Sequence, residues 1–187
     1  VSVGPVGGKA DDKTSGAARA IDAAPVPAEP VPGADWLPIR VYPGPAGLRV
    51  DWMYAAGLVF DAPFFRDTVQ RALRRPFAQA FRIDTSIDAL VARNARAPGP
   101  LPAAFVYHAS RCGSTLLARM LMALPTHRVL SEPPPLDVVL RAPWFVADVE
   151  PRQHRAWLRA LLGVSGACGG GDPRLVVKLD AWHVVEQ

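Results

Sequence analysis

The spacing of apolar positions changes character along this chain of 187 residues. Residues 1–35 show no period: Gly, Ala, Asp, Ser and Pro dominate, and Pro25, Pro27, Pro30 and Pro32 forbid both a helix and a central strand. A disordered tail is expected there, with order beginning near Trp36. Leu37 to Tyr42 and Leu48 to Trp52 are short, partly β-branched runs flanking Pro43-Gly44-Pro45-Ala46-Gly47, a hairpin pattern. The period then lengthens. Asp61-Ala62-Pro63 reads as a cap leading into a helix from Phe64 to Arg75, with Phe65, Val69, Ala72 and Leu73 on one face and Pro76 as its stop. Thr85-Ser86-Ile87-Asp88 has the form of a capping box with Asp for Glu, and Ile87, Leu90 and Val91 follow. Residues 36–100 are therefore expected to form a mostly helical N-terminal extension.

From Leu101 the pattern alternates between short apolar runs and amphipathic stretches. Ala104 to His108 reads as a strand, Ser114 to Ala123 as a helix, and Arg128 to Leu130 as a second strand. Pro151 opens a helix through Leu162, Gly163 to Pro173 reads as a flexible connector, and Leu175 to Leu179 as a third strand. Strand, helix, strand, helix, strand implies an α/β domain with a parallel sheet over residues 101–187. A parallel sheet needs both faces covered, and three strands make a small one. The expectation is that the C-terminal half of this domain lies outside the chain, which is cut inside a new helix beginning near Ala181.

Composition narrows the class. Half of the residues are hydrophobic and a fifth charged, a globular balance. No apolar run approaches the ~18 residues of a spanning helix, and no signal segment opens the sequence, so no membrane span and a cytoplasmic location are expected. Cys112 and Cys168 make no disulfide framework, consistent with that compartment. The net charge of +4 conceals an acidic tail, where three bases face five acids, and a basic remainder. A basic domain attracts anions, yet no block of Lys or Arg marks a nucleic-acid stripe, and no nucleic-acid partner is expected.

Chemistry concentrates in His108-Ala109-Ser110-Arg111-Cys112-Gly113-Ser114-Thr115. A glycine-containing loop between a strand and a helix presents successive backbone N–H groups at a helix N-terminus, an anion site. Gly113 relieves the backbone, Ser114 and Thr115 add hydroxyl donors, and Arg111 adds a permanent forked charge. Laid on the nucleoside-triphosphate pattern G-x-x-x-x-G-K-[ST], His108 stands for the first Gly and Ser114 for the Lys that reaches the β- and γ-phosphates. A kinase is disfavoured on that ground. No His, Cys and Asp set has metal-ligand spacing, and no metal is expected.

The segment Ser110-Arg111-Cys112-Gly113-Ser114-Thr115-Leu116-Leu117 resembles the 5′-phosphosulfate loop of sulfotransferases, which use 3′-phosphoadenosine 5′-phosphosulfate as donor. The resemblance implies a three-layer, P-loop NTPase-like parallel sheet, here partial and of the bacterial kind. It implies that Arg111 contacts the 5′-phosphate and the transferring sulfuryl group, with Ser110, Cys112, Gly113, Ser114 and Thr115 around the phosphate. In tyrosylprotein-type and related bacterial members, the strand after the loop helix ends in an acidic general base. The corresponding stretch Arg128-Val129-Leu130-Ser131-Glu132-Pro133 gives that role to Glu132, on a strand beside the loop. The family's Arg and Ser for the 3′-phosphate have no match before Gln187.

Each residue also has a plainer reading. Glu132 can be a solvated strand-end carboxylate, His108 a hydrogen-bonded strand residue rather than a base, and Cys112 an inert loop thiol. Lys178, ending the third strand, either faces the same site or only buries its stem. The expected function is sulfuryl transfer to the hydroxyl or amine of a small-molecule, glycan or peptide acceptor. The rivals are a nucleoside-triphosphate phosphotransferase, in which Thr115 ligates Mg²⁺, and a non-catalytic partial P-loop protein. Neither acceptor identity nor oligomeric state is legible.

Overall fold

A computed structural model describes residues 29–171 and 173–186, and residues 1–28, most of the stretch read as a tail, lie outside it. Strand β1 (Trp36–Gly44) and β2 (Gly47–Tyr54) form the expected hairpin, paired from Trp36↔Tyr54 to Gly44↔Gly47. Gly47 closes the turn at φ 117°, a conformation that favours glycine. Leu37, Val41, Leu48, Val50 and Trp52 are buried along the pair.

The extension is not mostly helical. Between α2 (Pro76–Ala80) and α3 (Ile87–Arg96) lies β3 (Arg82–Ser86), which pairs antiparallel with β2 and completes a three-stranded sheet in the order β1-β2-β3. Polar cross-strand bonds carry β3. Asp84 accepts from Tyr42 and, at 2.7 Å, from Arg49 Nε, Arg82 pairs with Asp51, and the Trp52 indole N–H donates to Thr85 at 2.9 Å. Thr85 is thereby taken out of the capping role. Ser86 caps α3 instead, accepting from Ala89 N–H at 3.3 Å. Glu29 is already tied to this sheet, with one carboxylate oxygen 2.7 Å from Arg49 and the other accepting from Ser86 N–H at 2.7 Å. The first long helix, α1 (Phe65–Leu73), ends before Pro76, which opens α2 as an N-terminal proline.

The second half is α/β as expected: β4 (Ala104–Val106), α4 (Ser114–Met122), β5 (His127–Ser131), α5 (Pro134–Phe145), α6 (Pro151–Ala167) and β6 (Arg174–Lys178). A 3-10 segment, Ala181–Glu186, follows where a new helix was expected. Sequence reading missed α5, in which Pro134 and Pro135 occupy the first turn, where no N–H is needed, and Pro143 lies inside the helix. It also ended α6 too early. Gly163 and Gly166 do not stop that helix; they let it press against the last turn of α3 and the segment after it. A Cβ on Gly163 would lie 2.4 Å from Asn94 Oδ1, and one on Gly166 3.0 Å from the Pro100 carbonyl oxygen.

The three strands run parallel in the order β4-β6-β5, so β6 separates the two strands that sequence reading set side by side. Leu130, Leu175 and Val177 face a large core shared with α5, α6 and the antiparallel sheet, while Val129 and Val176 face a small one against Ala118 of α4. A single core thus joins both sheets. The outer side is barer, with Phe105, Tyr107, Leu116 and Met120 exposed. The described residues form an α/β protein with two small open sheets, and none of their helices is long and apolar enough to cross a membrane.

Candidate functional site

The parallel strands end in step, with Val106, Lys178 and Ser131 at matching register. Everything beyond that line faces the carboxyl edge, where open α/β sheets bind ligands. From β4 come His108 and the loop, from β5 comes Glu132, and from β6 come Lys178 and Asp180. A cavity of about 330 Å³ is lined by Phe64, His108, Ser110, Arg111, Gly113, Ser114, Thr115, Glu132, Asp180, Ala181 and Trp182. Cys112 is exposed and outside that lining.

Backbone strain sits at the two residues assigned the chemistry. Arg111 at φ 61° and Glu132 at φ 51° adopt the left-handed conformation, shared among described non-glycine residues only by Asp148 between α5 and α6. Each such position costs of order 1–3 kcal/mol and persists where the surroundings enforce it. Gly113, the N-cap of α4, stands at φ 90°. A Cβ there meets nothing within 4 Å, so the glycine serves the backbone angle rather than close approach of protein atoms. No side chain caps α4; the Leu116 N–H turns back to the Gly113 carbonyl at 2.9 Å, and the residues before it, Ser114 and Thr115, line the cavity. Arg111 is exposed and pairs with no carboxylate among the described residues.

Glu132 does not sit free at the strand end. Its backbone N–H donates to the Lys178 carbonyl at 2.8 Å, and its carboxylate takes the ammonium of Lys178, whose side chain is wholly buried. Lys178 reaches the cavity only through Glu132 and does not line it; it buries its charge as well as its stem. An ammonium in such surroundings requires an anionic partner, and Glu132 supplies it. The Phe64 ring lies 5.7 Å from the same nitrogen.

His108 completes the cluster. Its Nδ1 lies 3.1 Å from the Ala109 carbonyl oxygen, which can only accept, so Nδ1 carries a proton. The other nitrogen, Nε2, is buried without a hydrogen-bond partner and lies 3.6 Å from Glu132 Oε1. The imidazole thus turns Nε2 toward the carboxylate. Burial first, and the neighbouring Glu132 charge second, push the Asp180 carboxyl above its ordinary range. Asp180 accordingly keeps its proton to higher pH than a free aspartate.

Of the residues singled out in the sequence, His108, Ser110, Arg111, Gly113, Ser114, Thr115 and Glu132 line the cavity, while Cys112 and Lys178 do not; Phe64, Asp180 and Trp182 line it and were not singled out. A charged residue directly after the apolar run Leu175 to Leu179 was a usable signal for Asp180. Phe64 carried none, because its place depends on how α1 docks. Among the described residues, no group of three or more His, Cys, Asp or Glu stands close enough to hold a metal ion. Comparison with protein-family models, curated proteins and solved structures finds no match to this chain.

Proposed function

We propose that the chain carries the donor-binding and proton-accepting half of a sulfotransferase site, using 3′-phosphoadenosine 5′-phosphosulfate. The observation that supports this most is that the Arg111 loop and Glu132, two strained segments from different strands, line one cavity. The loop order Arg-x-Gly-Ser-Thr, with Ser114 in place of a lysine, supports a phosphosulfate over a triphosphate.

In this reading the first-turn amides of α4 and the Ser114 and Thr115 hydroxyls hold the 5′-phosphate, and Arg111 spans it and the sulfuryl group. An acceptor oxygen attacks sulfur in line with the phosphate oxygen. The acceptor O–S bond forms, the S–O bond to the phosphate breaks, and adenosine 3′,5′-bisphosphate departs. The acceptor proton passes to Glu132, with His108 Nε2 standing 3.6 Å from that carboxylate. Lys178 offsets the Glu132 charge, allowing a carboxylate and an anionic donor to share one small space.

Two variants test the assignment. Arg111→Ala should weaken calorimetric binding of adenosine 3′,5′-bisphosphate by about 1.5–3 kcal/mol, the worth of a charge-assisted bond. Glu132→Gln should leave that affinity nearly intact and lower single-turnover sulfation by about 10²–10⁴. Unchanged binding by Arg111→Ala would remove the loop from the donor site. Stabilisation by ATP with Mg²⁺, without any response to the bisphosphate, would turn the reading to phosphoryl transfer.

A further inference from the structure

Five arginines and one aspartate stand between Ala62 and Ile83. Two of the five are spent inside the molecule, Arg71 on Asp61 and Arg82 on Asp51. Arg66, Arg74 and Arg75 are exposed and form no ion pair among the described residues. That excess of cations attracts anions.

The same stretch exposes aromatic surface. Arg74 caps the end of α1 and Arg75 the start of α2. Ala78 seats α2 in the shared core, while Phe77 and Phe81 on either side of it are each 55% exposed. Their rings lie 4.5 Å apart at 33° to one another. Phe77 also meets Tyr54 edge to face at 5.6 Å, and Tyr54 meets Trp36 at 5.7 Å, so the exposed pair is braced by the hairpin. A single exposed hydrophobic side chain is ordinary, but two braced rings beside unpaired arginines form a patch. Rings of this kind settle at the boundary of lipid headgroups and acyl chains, with the cations at the phosphates.

Two other anionic partners fit less well. Single-stranded nucleic acid stacks its bases on open ring faces, and these rings already turn faces toward each other. A stable protein partner covers about 800 Å² of fitted surface on each side, and two half-exposed rings supply only a small part of that. A bilayer needs no such fit. We propose that the α1–α2 junction docks the protein on an anionic lipid surface, with Phe77 and Phe81 entering the headgroup boundary and Arg74 and Arg75 meeting lipid phosphates. The surface is independent of the sulfuryl-transfer reading and of the loop cavity.

The test is co-flotation of the whole chain with vesicles of phosphatidylcholine alone, and of phosphatidylcholine and phosphatidylglycerol in equal parts. The chain should float with the mixed vesicles only, and should be released in about 1 M salt, where charges are screened beyond about 3 Å. Arg74→Gln with Arg75→Gln should lower partition about 25-fold, at roughly fivefold for each charge. Phe77→Ser with Phe81→Ser should lower it about tenfold. Gln79→Arg, at an exposed position between the rings, should raise it about fivefold, a gain that no loss of folding can mimic. Leu116→Ser with Met120→Ser, on the outer face of the parallel sheet, should change nothing. Equal flotation with both vesicle types would overturn the proposal, as would wild-type partition by the arginine pair, the phenylalanine pair or Gln79→Arg, or a loss confined to Leu116 and Met120. Binding of polyglutamate or single-stranded DNA as tight as that of the mixed vesicles, and weakened by the same variants, would overturn it in favour of an acidic protein or a nucleic acid.

Discussion

In the antiparallel sheet, Arg82 meets Asp51, Arg49 meets both Asp84 and Glu29, and the Trp52 indole finds Thr85. At the carboxyl edge of the parallel sheet, His108 Nε2, Ser131 Oγ and Asp137 Oδ1 are buried with no partner, and Arg111 and Glu132 hold strained backbone angles. Both sheets lean on one hydrophobic core. On the side facing that core the difference is one of use, while the outer face of the parallel sheet is also barer, with Phe105, Tyr107, Leu116 and Met120 exposed. The first sheet spends its polar groups on itself, while the second holds several in reserve at a single edge, the pattern expected where a ligand completes the set.

That contrast requires the two sheets to unfold together, because otherwise the strain in one could not be held by the other. Trp52 is fully buried in the first sheet and packs in the shared core. Trp52→Ala should lower stability by about 3–5 kcal/mol, with a single denaturant transition that takes the parallel sheet along. Two separated transitions by circular dichroism would show two independent units and break the comparison.

The next effect separates a buried ion pair from an exposed one. Lys178→Met leaves Glu132 facing a dry wall without its counter-ion and should cost about 3 kcal/mol. Adding Glu132→Gln to that variant should recover most of the loss. Arg82→Met in the first sheet removes a half-open pair and should cost under about 1 kcal/mol. Equal losses for the two single variants, measured by urea denaturation, would remove the distinction drawn between the sheets.

Much of this was legible in the chain, for definable reasons. Strand β6 announces itself because a buried parallel strand is a short continuous apolar run, and β4 is such a run too although Ala104 and Phe105 lie exposed at the sheet edge. The loop is readable because Arg111, Gly113, Ser114 and Thr115 act through neighbouring backbone. β3 was not, since Arg82-Ile83-Asp84-Thr85-Ser86 owes its place to partners on β2 and β1 distant in sequence. The glycines of α6 misled because a helical glycine at a close contact looks like one at a helix end. The Lys178–Glu132 pair was half visible: both residues stood at strand ends, but only the order β4-β6-β5 brings them together.

Glycines give a finer comparison. Gly47 and Gly113 both have positive φ, and an added Cβ meets nothing at either. Alanine should cost about 1–2 kcal/mol at each site through backbone strain alone. Only Gly113→Ala should also weaken adenosine 3′,5′-bisphosphate binding, because it reshapes the start of α4. Equal nucleotide affinity in both variants would take that turn out of the donor site.

The smallest effect is the most diagnostic, because its sign differs between the sheets. The Glu29 carboxyl is held below its ordinary value of 4.5, chiefly by hydrogen bonding to Ser86. Its contribution to stability is present above that value and is lost as pH falls through the lowered folded one. Asp180 runs the other way. Burial and then Glu132 raise it above 3.8, so its proton favours the folded state below 3.8 and that benefit disappears as pH climbs through the raised value. Glu29→Gln should therefore lower the denaturation midpoint at neutral pH, with the deficit closing in acid. Asp180→Asn should raise the midpoint at neutral pH, where the wild type must place a second negative charge beside Glu132, and its advantage should vanish below 3.8. Midpoints of both variants and the wild type from pH 3 to 8 decide the matter. A destabilising Asp180→Asn at neutral pH would mean that the carboxylate there is satisfied, and the parallel edge would then hold one fewer group in reserve for a ligand.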